Sequence, residues 1–120
     1  MATSELQATV RERDGVAVID LTGDLNSSAE DALNDAYAQA TGAADAVVLN
    51  FEGADYINST GIALIVGLLA RARANRVQVK AFGLSDHYRE IFEITRLADF
   101  MTIADDEDRA VSGAEGGNDA

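Results

Sequence analysis

The sequence contains no cysteine and a single histidine, His87. Without cysteine the chain has no disulfide framework and no thiolate ligands for zinc. One histidine is also too few for a metal centre built from histidine side chains. We therefore expect no metal site. No Walker-type G-x-x-x-x-G-K-S/T string for a nucleotide occurs either, and we predict no cofactor.

Long hydrophobic runs are missing as well. The longest strongly apolar stretch covers residues 62–70 and contains Gly67, so it is too short to span a bilayer. The first six residues have neither the basic patch nor the apolar stretch of a secretory signal. We therefore expect a cytoplasmic protein that does not insert into a membrane.

Basic side chains are scarce, because nine Lys and Arg residues stand against 21 Asp and Glu residues, which gives a formal net charge of −12. A chain with that charge repels nucleic acid unless its few cations cluster. Arg71, Arg73, Arg76 and Lys80 form a local basic patch, but cations at a helix end usually solvate the surface and complement the helix dipole. We predict no direct contact with nucleic acid.

The length of 120 residues is that of one ordinary domain. We predict a single domain over residues 1–111 and a flexible acidic tail over residues 112–120, because the tail is rich in glycine and small residues. The acidic stretch 105–108 is expected to be solvated and to carry no chemistry.

Apolar periodicity predicts that strands and helices alternate along the chain. Residues 6–10 alternate between apolar and polar, Asp14-Gly15 is a tight-turn pair, and residues 16–21 are apolar, which predicts an opening β-hairpin. Ser27 and Glu30 have capping-box spacing before a first helix that ends near Gly42. Further strands are predicted over residues 46–51, 77–81 and 100–103, and further helices over 59–74, 86–97 with Asp86 as its cap, and 107–111.

Strands that are joined through helices pack in parallel with right-handed crossovers. We therefore predict an α/β fold with a mixed, mostly parallel sheet of four to five strands, an N-terminal β-hairpin and about four helices. Binding sites in such sheets lie beyond the carboxyl ends of the strands.

Residues 55–62, with the sequence DYINSTGI, lead from a predicted buried strand into the second helix. Asn58 and Ser59 are favourable N-cap residues, and the unpaired N–H groups of a helix start attract an anion. A phosphate on Ser59 would add about −1.5 to −2 units of charge there. From these residues alone, the simpler interpretation is that Asn58, Ser59 and Thr60 only cap the helix.

The second helix itself is apolar on almost every side over residues 62–69. Such a helix is deeply buried, exposes an apolar part to a partner, or does both. Whether this helix supports a monomer or a weak dimer stays open at this point.

Residues 21–26, 55–62 and 83–97 are three motifs that, in this order, resemble the STAS domain of bacterial anti-sigma factor antagonists. Residues 21–26, LTGDLN, resemble the L-T-G-E/D-L-D stretch that follows the second strand in that family, and residues 55–62 resemble its D/N-S-S/T-G-hydrophobic motif. Residues 83–92, GLSDHYREIF, followed by Thr95-Arg96-Leu97, resemble its third helix. The resemblance runs from about Val10 to Val111 and implies the STAS fold.

What the resemblance implies for function is a cycle of partner switching. The unphosphorylated antagonist binds an anti-sigma factor that is also a serine kinase, and so frees a sigma factor; phosphorylation releases it and a serine phosphatase resets it. The phosphoacceptor of the family falls on Ser59. Many members have Asp where this chain has Asn58, which lowers the local negative charge and bears on recognition by the kinase.

Residues close to Ser59 are the candidates for partner contact. Within the motif these are Asn58, Thr60, Gly61 and Ile62, and on loops predicted at the same end of the sheet they are Asp24, Asn26 and Asp55. Each of the three loop residues has an alternative role in turn chemistry.

Two other functions compete with the antagonist. STAS domains also serve as scaffolds or accessory subunits in stress-signalling and lipid-transport complexes, and fold resemblance does not choose among these roles. A hydrolase built on Ser59 and His87 is disfavoured, because Ser59 lacks the G-x-S-x-G elbow and His87 is expected at the surface near the start of the third helix. We therefore predict that the protein is not an enzyme and has no catalytic residues.

Overall fold

The computed structural model describes residues 5–115 of the chain. The strands are β1 (Gln7–Arg13), β2 (Val16–Leu25), β3 (Ala46–Ile57), β4 (Gln78–Phe82) and β5 (Thr102–Ile103). The helices are α1 (Glu30–Ala43), α2 (Ser59–Ala74), α3 (Asp86–Ile94) and α4 (Glu107–Glu115), with short 3₁₀ turns at Ser27–Ala29 and Leu97–Asp99. No helix in this stretch combines the length and apolar character needed to cross a membrane.

The five strands form one sheet in the order β1-β2-β3-β4-β5. β1 pairs antiparallel with β2, and the remaining neighbours pair in parallel. The hairpin turn is the predicted Asp14-Gly15 pair, whose φ angles of 53° and 82° are both positive and match the twist of a two-residue hairpin. The predicted α/β fold, with its mixed sheet, opening hairpin and four helices, is therefore confirmed.

Each face of the sheet has its own hydrophobic core, since alternate residues of a strand point to opposite faces. On one face Ala17 and Ile19 of β2 pack with the apolar sides of α1, α2 and α3. On the other face Val16 and Val18 pack with Ala110 and Val111 of α4. Among the described helices, α4 is therefore the cover of the second face.

Ion pairs and hydrogen bonds between polar side chains connect α4 to the hairpin of β1 and β2. Arg11 of β1 forms ion pairs with Asp20 of β2 at 2.7 Å and with Glu107 of α4 at 2.6 Å. Arg13 reaches the same Glu107 carboxylate at 2.7 Å, and Asn50 donates to Asp20 at 2.8 Å. The expectation that residues 105–108 are merely solvated is therefore wrong for Glu107. Its partners are about 95 residues earlier in the chain, so the sequence around Glu107 gives no sign of these ion pairs.

The Glu107 network makes stability depend on pH in acid. Hydrogen bonds from Arg11 and then Arg13 lower the pKa of Glu107 from its ordinary 4.5 to about 2. Because the folded pKa is depressed, this stabilisation is complete above about pH 4.5 and is lost as the pH falls through 2. Allowing for solvent screening, we expect the wild type to lose about 1–2 kcal/mol more unfolding free energy than Glu107→Gln between pH 5 and pH 2.

Urea unfolding at several pH values measures this difference directly. Glu90→Gln, a change of the same kind at an exposed position of α3, is the control and should follow the wild type. Parallel curves for the wild type and Glu107→Gln would show that the network does not contribute.

Several element boundaries differ from those predicted. β2 and β3 continue to Leu25 and Ile57, because the pairs Asp24–Tyr56 and Leu25–Ile57 extend their ladder beyond the apolar runs. Asp24 and Asp55 therefore lie in strands and not in loops, which corrects the prediction.

The helix starts and the chain end also differ from expectation. Asn26, not Ser27, caps the turn before α1, and Ser85, not Asp86, caps α3. α4 runs to Glu115, so residues 112–115 of the predicted tail are helical. Residues 116–120 of that tail lie outside the described residues.

Candidate functional site

The start of α2 is the centre of the candidate site. β3 ends at Ile57, Asn58 is the N-cap, and Ser59 is the first helical residue. The extended backbone of Asn58 turns its side-chain oxygen back to accept a hydrogen bond from the N–H of Gly61 at 2.8 Å. Such a cap contributes about 1 kcal/mol, so the predicted capping role of this segment is confirmed for Asn58.

The end of β2 holds this helix start in place. The N–H of Asn58 donates to the carbonyl oxygen of Leu25 at 3.2 Å. Gly61 lies so close to the backbone of Leu25 that a Cβ atom at position 61 would be 2.1 Å from the same carbonyl oxygen. Glycine is therefore required at position 61 by the approach of the β2 backbone, while contact of Asn58 or Gly61 with a partner stays a prediction.

A hydrogen bond from the third helix completes the anchoring. The N–H of Ile57 donates to the hydroxyl oxygen of Tyr88 at 3.0 Å, so α3 holds the last residue of β3. Sequence reasoning counted Tyr88 among the apolar residues of its helix and missed this bond. The available signal was a tyrosine hydroxyl on a helix face that otherwise packs in the core.

Ser59 and Thr60 present their side chains to solvent at this anchored start. No acidic residue occupies the first turn of α2. Within residues 5–115, no acceptor is found for the N–H groups of Ser59 and Thr60. The helix start therefore combines an accessible hydroxyl with free donors and the positive end of the helix dipole.

The other candidate residues divide into exposed and structural ones. Asp55 and Thr60 are exposed, whereas Asp24 is only 8% exposed. Asn26 accepts hydrogen bonds from the N–H and the hydroxyl of Ser28, so it has the alternative role in turn chemistry that was predicted for it. Ile62 is half-buried against the core. Contact of any of these residues with a partner stays a prediction.

An exposed aromatic residue that the sequence analysis passed over stands beside the site. Tyr56 lies between Asp55 and Ile57 in β3, and 52% of its surface is exposed. Its place inside the stretch 55–62 that carries the motif was the available signal. Tyrosine is enriched at protein interfaces, which adds Tyr56 to the candidate surface.

The hydrolase alternative depends on the positions of His87 and Ser59. His87 is exposed near the start of α3, as predicted, and its ring lies 5.1 Å from that of Tyr88. No hydrogen bond joins His87 to Ser59 among the described residues. In that part of the chain no three His, Asp or Glu side chains are grouped to hold a metal ion.

Comparison with known proteins assigns the family. The model of the STAS domain matches residues 7–110. The chain belongs to the STAS domain family. Among curated relatives, the anti-sigma-B factor antagonist of Staphylococcus aureus is 37% identical over 57 residues, which cover 48% of this chain and 53% of that protein. The match thus spans about half the length of these relatives.

Solved STAS structures have the same fold. An anti-sigma factor antagonist from Mycobacterium paratuberculosis superposes with a TM-score of 0.81 at 17% identity, covering 93% of this chain and 96% of that one. The Bacillus cell fate determinant SpoIIAA in its phosphorylated form gives a TM-score of 0.66 at 23% identity, with coverages of 88% and 96%. At these identities the likeness shows the STAS fold, which confirms the predicted fold family.

Proposed function

We propose that this STAS domain is an anti-sigma factor antagonist switched by phosphorylation of Ser59. The unphosphorylated form binds an anti-sigma factor with serine kinase activity in the cytoplasm and so frees a sigma factor. The observation that carries the proposal is the exposed Ser59 hydroxyl at the first position of α2, on a helix start anchored by Leu25 and Tyr88. The curated relatives from Staphylococcus aureus and Listeria monocytogenes are anti-sigma-B factor antagonists, which supports the antagonist role.

Phosphate on Ser59 is compatible with the folded state. The first turn of α2 has no carboxylate to repel it, and the N–H groups of Ser59 and Thr60 are favourable neighbours for its oxygens. At a docked interface the same charge must be desolvated or placed against like charge, which costs several kcal/mol. Each 1.4 kcal/mol is tenfold in affinity, so the switch needs no change of fold.

Asn58 fits this switch although many family members have Asp there. Its amide oxygen supplies the cap to Gly61 without adding a charge next to Ser59. A phosphoserine beside a neutral cap avoids the repulsion that a neighbouring carboxylate would bring. We propose that the folded protein therefore tolerates the phosphate at Ser59, and that a serine phosphatase removes it.

Phosphosite mapping tests the proposal in native cells. Protein isolated under resting and stressed conditions is analysed by intact mass and peptide sequencing, and the unmodified form is used to capture partners. We expect phosphate on Ser59 and a captured serine kinase. A Thr60→Ala protein should retain the phosphate and serves as the matched control.

Other outcomes would favour other functions. Unmodified Ser59 under every condition, together with a membrane or large-assembly partner, would indicate a scaffold or accessory subunit. Turnover of a generic ester by the purified protein, abolished in Ser59→Ala, would indicate a hydrolase.

A further inference from the structure

One face of α2 is exposed along the whole helix. Starting from Ser59, exposed residues recur at spacings of three or four as Ala63, Val66, Ala70 and Arg73, which places them on one side of the helix. With a rise of 1.5 Å per residue, this exposed face extends about 21 Å from the proposed switch residue. The opposite side of α2 packs in the core through Ile65, Leu68, Leu69 and Ala72.

The far half of this exposed face opens into a groove. Val66, Ala70 and Arg73 of α2 line one side, and residues around the second 3₁₀ turn, including Leu97 and Phe100, line the other; the groove has a volume of about 280 Å³. Val66 and Phe100 are 47% and 55% exposed. Large apolar side chains exposed around a concavity mark a surface where another molecule binds.

Arg73 is the cation available to a ligand in this groove. Its guanidinium lies 5.5 Å from the centre of the Phe100 ring, and it has no ion pair among the described residues. Arg96, also at the groove, is paired with Asp99 at 2.8 Å. Arg71 is directed elsewhere, over the ring of Tyr37 at 4.6 Å. An apolar groove beside an unpaired guanidinium suits a ligand with apolar side chains and a carboxylate.

We propose that this groove is a second docking point for the protein that docks at Ser59, and that it binds an amphipathic helical segment carrying at least one Asp or Glu. The inference rests on the proposed function, since it assigns the groove to the same partner. Two features support this occupant: the exposed face of α2 runs without interruption from Ser59 to the groove, and Ala63, Gly67 and Ala70 on or beside it let a second helix approach closely.

A second copy of this chain fits the groove less well. Two copies would bring together surfaces of chains with a net charge of −12 each, and like charge opposes association. A helical segment from a different protein brings a carboxylate to Arg73 without the repulsion between two whole chains of high negative charge.

The distance between the two docking points has a functional consequence. Contacts in the groove are about 10–20 Å from Ser59 along α2 and are unaffected by its phosphate. The groove therefore supports recognition of this protein as a kinase substrate as well as capture of the kinase, and phosphorylation removes one of two contact regions.

Charge reversal in the groove tests the proposal. The probe is the serine kinase that co-purifies with the Ser59→Ala protein, purified and titrated against each variant. We expect Arg73→Glu to weaken binding about tenfold or more, whereas Arg109→Glu, the same charge change at an exposed position of α4, should change it less than about twofold. Equal affinities for the two variants, each folded by circular dichroism, would overturn the proposal without affecting the role of Ser59.

Photo-crosslinking identifies the occupant independently. A benzophenone amino acid is introduced at position 100 in the groove, at position 56 beside Ser59, and at position 9 on the far edge of the sheet as a control. Crosslinks to one kinase from positions 56 and 100, with peptides of an acidic amphipathic helix at position 100, would support the proposal. A second copy or a different protein at position 100, with the kinase at position 56, would overturn it alone. Absence of the kinase at both positions would contradict the proposed function as well.

Discussion

Replacing Ser59 with aspartate should weaken binding of the kinase partner about a hundredfold, whereas Ser59→Ala should retain full affinity. The reason is local, because the Ser59 hydroxyl is exposed at the start of α2 and the surrounding backbone is fixed by Leu25 and Tyr88. The new carboxylate is tolerated in the free protein but must lose its water at the interface. Isothermal titration with the purified kinase measures both affinities.

Two controls separate the position of the charge from its sign. Thr9→Asp adds the same charge at an exposed position of β1 and should leave the affinity near that of the wild type. In a phosphorylation assay, Thr60→Ala should be modified and Ser59→Ala should not. Equal affinity of the kinase for Ser59→Ala and Ser59→Asp would remove Ser59 from the switch.

Substituting Gly61 with alanine should lower the unfolding free energy by about 3 kcal/mol, at the upper end of the range for overpacking. The added Cβ would lie 2.1 Å from the Leu25 oxygen and 2.7 Å from its carbonyl carbon. Both atoms belong to the backbone of β2, which is fixed by its pairing with Ile57. Neither atom can move away from the added Cβ without disturbing that pairing. Thermal unfolding should show a Tm lower by about 10–20 °C.

Gly67→Ala is the matched control on the same helix. A Cβ atom at position 67 would meet nothing within 4 Å, so alanine there should stabilise the protein by about 0.5–1 kcal/mol through its better helix propensity. The two substitutions are chemically identical and are predicted to have opposite signs. A stabilised Gly61→Ala protein would show that the start of α2 is not pressed against β2.

The main elements were predictable because each leaves a local pattern. Asp14-Gly15 between two alternating runs is enough to predict the hairpin, and the apolar block after Ser59 predicts α2. The ends of β2 and β3 were not, because polar residues follow both apolar runs, while the backbone ladder resumes after an irregularity at the pairs Asp24–Tyr56 and Leu25–Ile57. Pairing with a neighbouring strand decides such a boundary, and that partner is distant in sequence.

The candidate site was likewise predictable only in part. Asn58 and Ser59 could be placed at a helix start from residue type alone, and the family resemblance gave Ser59 its proposed role. The anchors of that start could not be predicted, since Leu25 and Tyr88 contact it through a backbone carbonyl and a side-chain hydroxyl from other elements. The groove at Arg73 and Phe100 was equally hidden, because it exists only where α2 meets the second 3₁₀ turn.

The order of the strands also limits how this protein can associate. One edge of the sheet is β1, which contains the consecutive charged residues 11–13. The other edge is β5, which has only two residues. Charged or very short edges are poor templates for an added strand. Growth of the sheet from chain to chain is thus disfavoured at both edges, and the helical surfaces are left to select the partner.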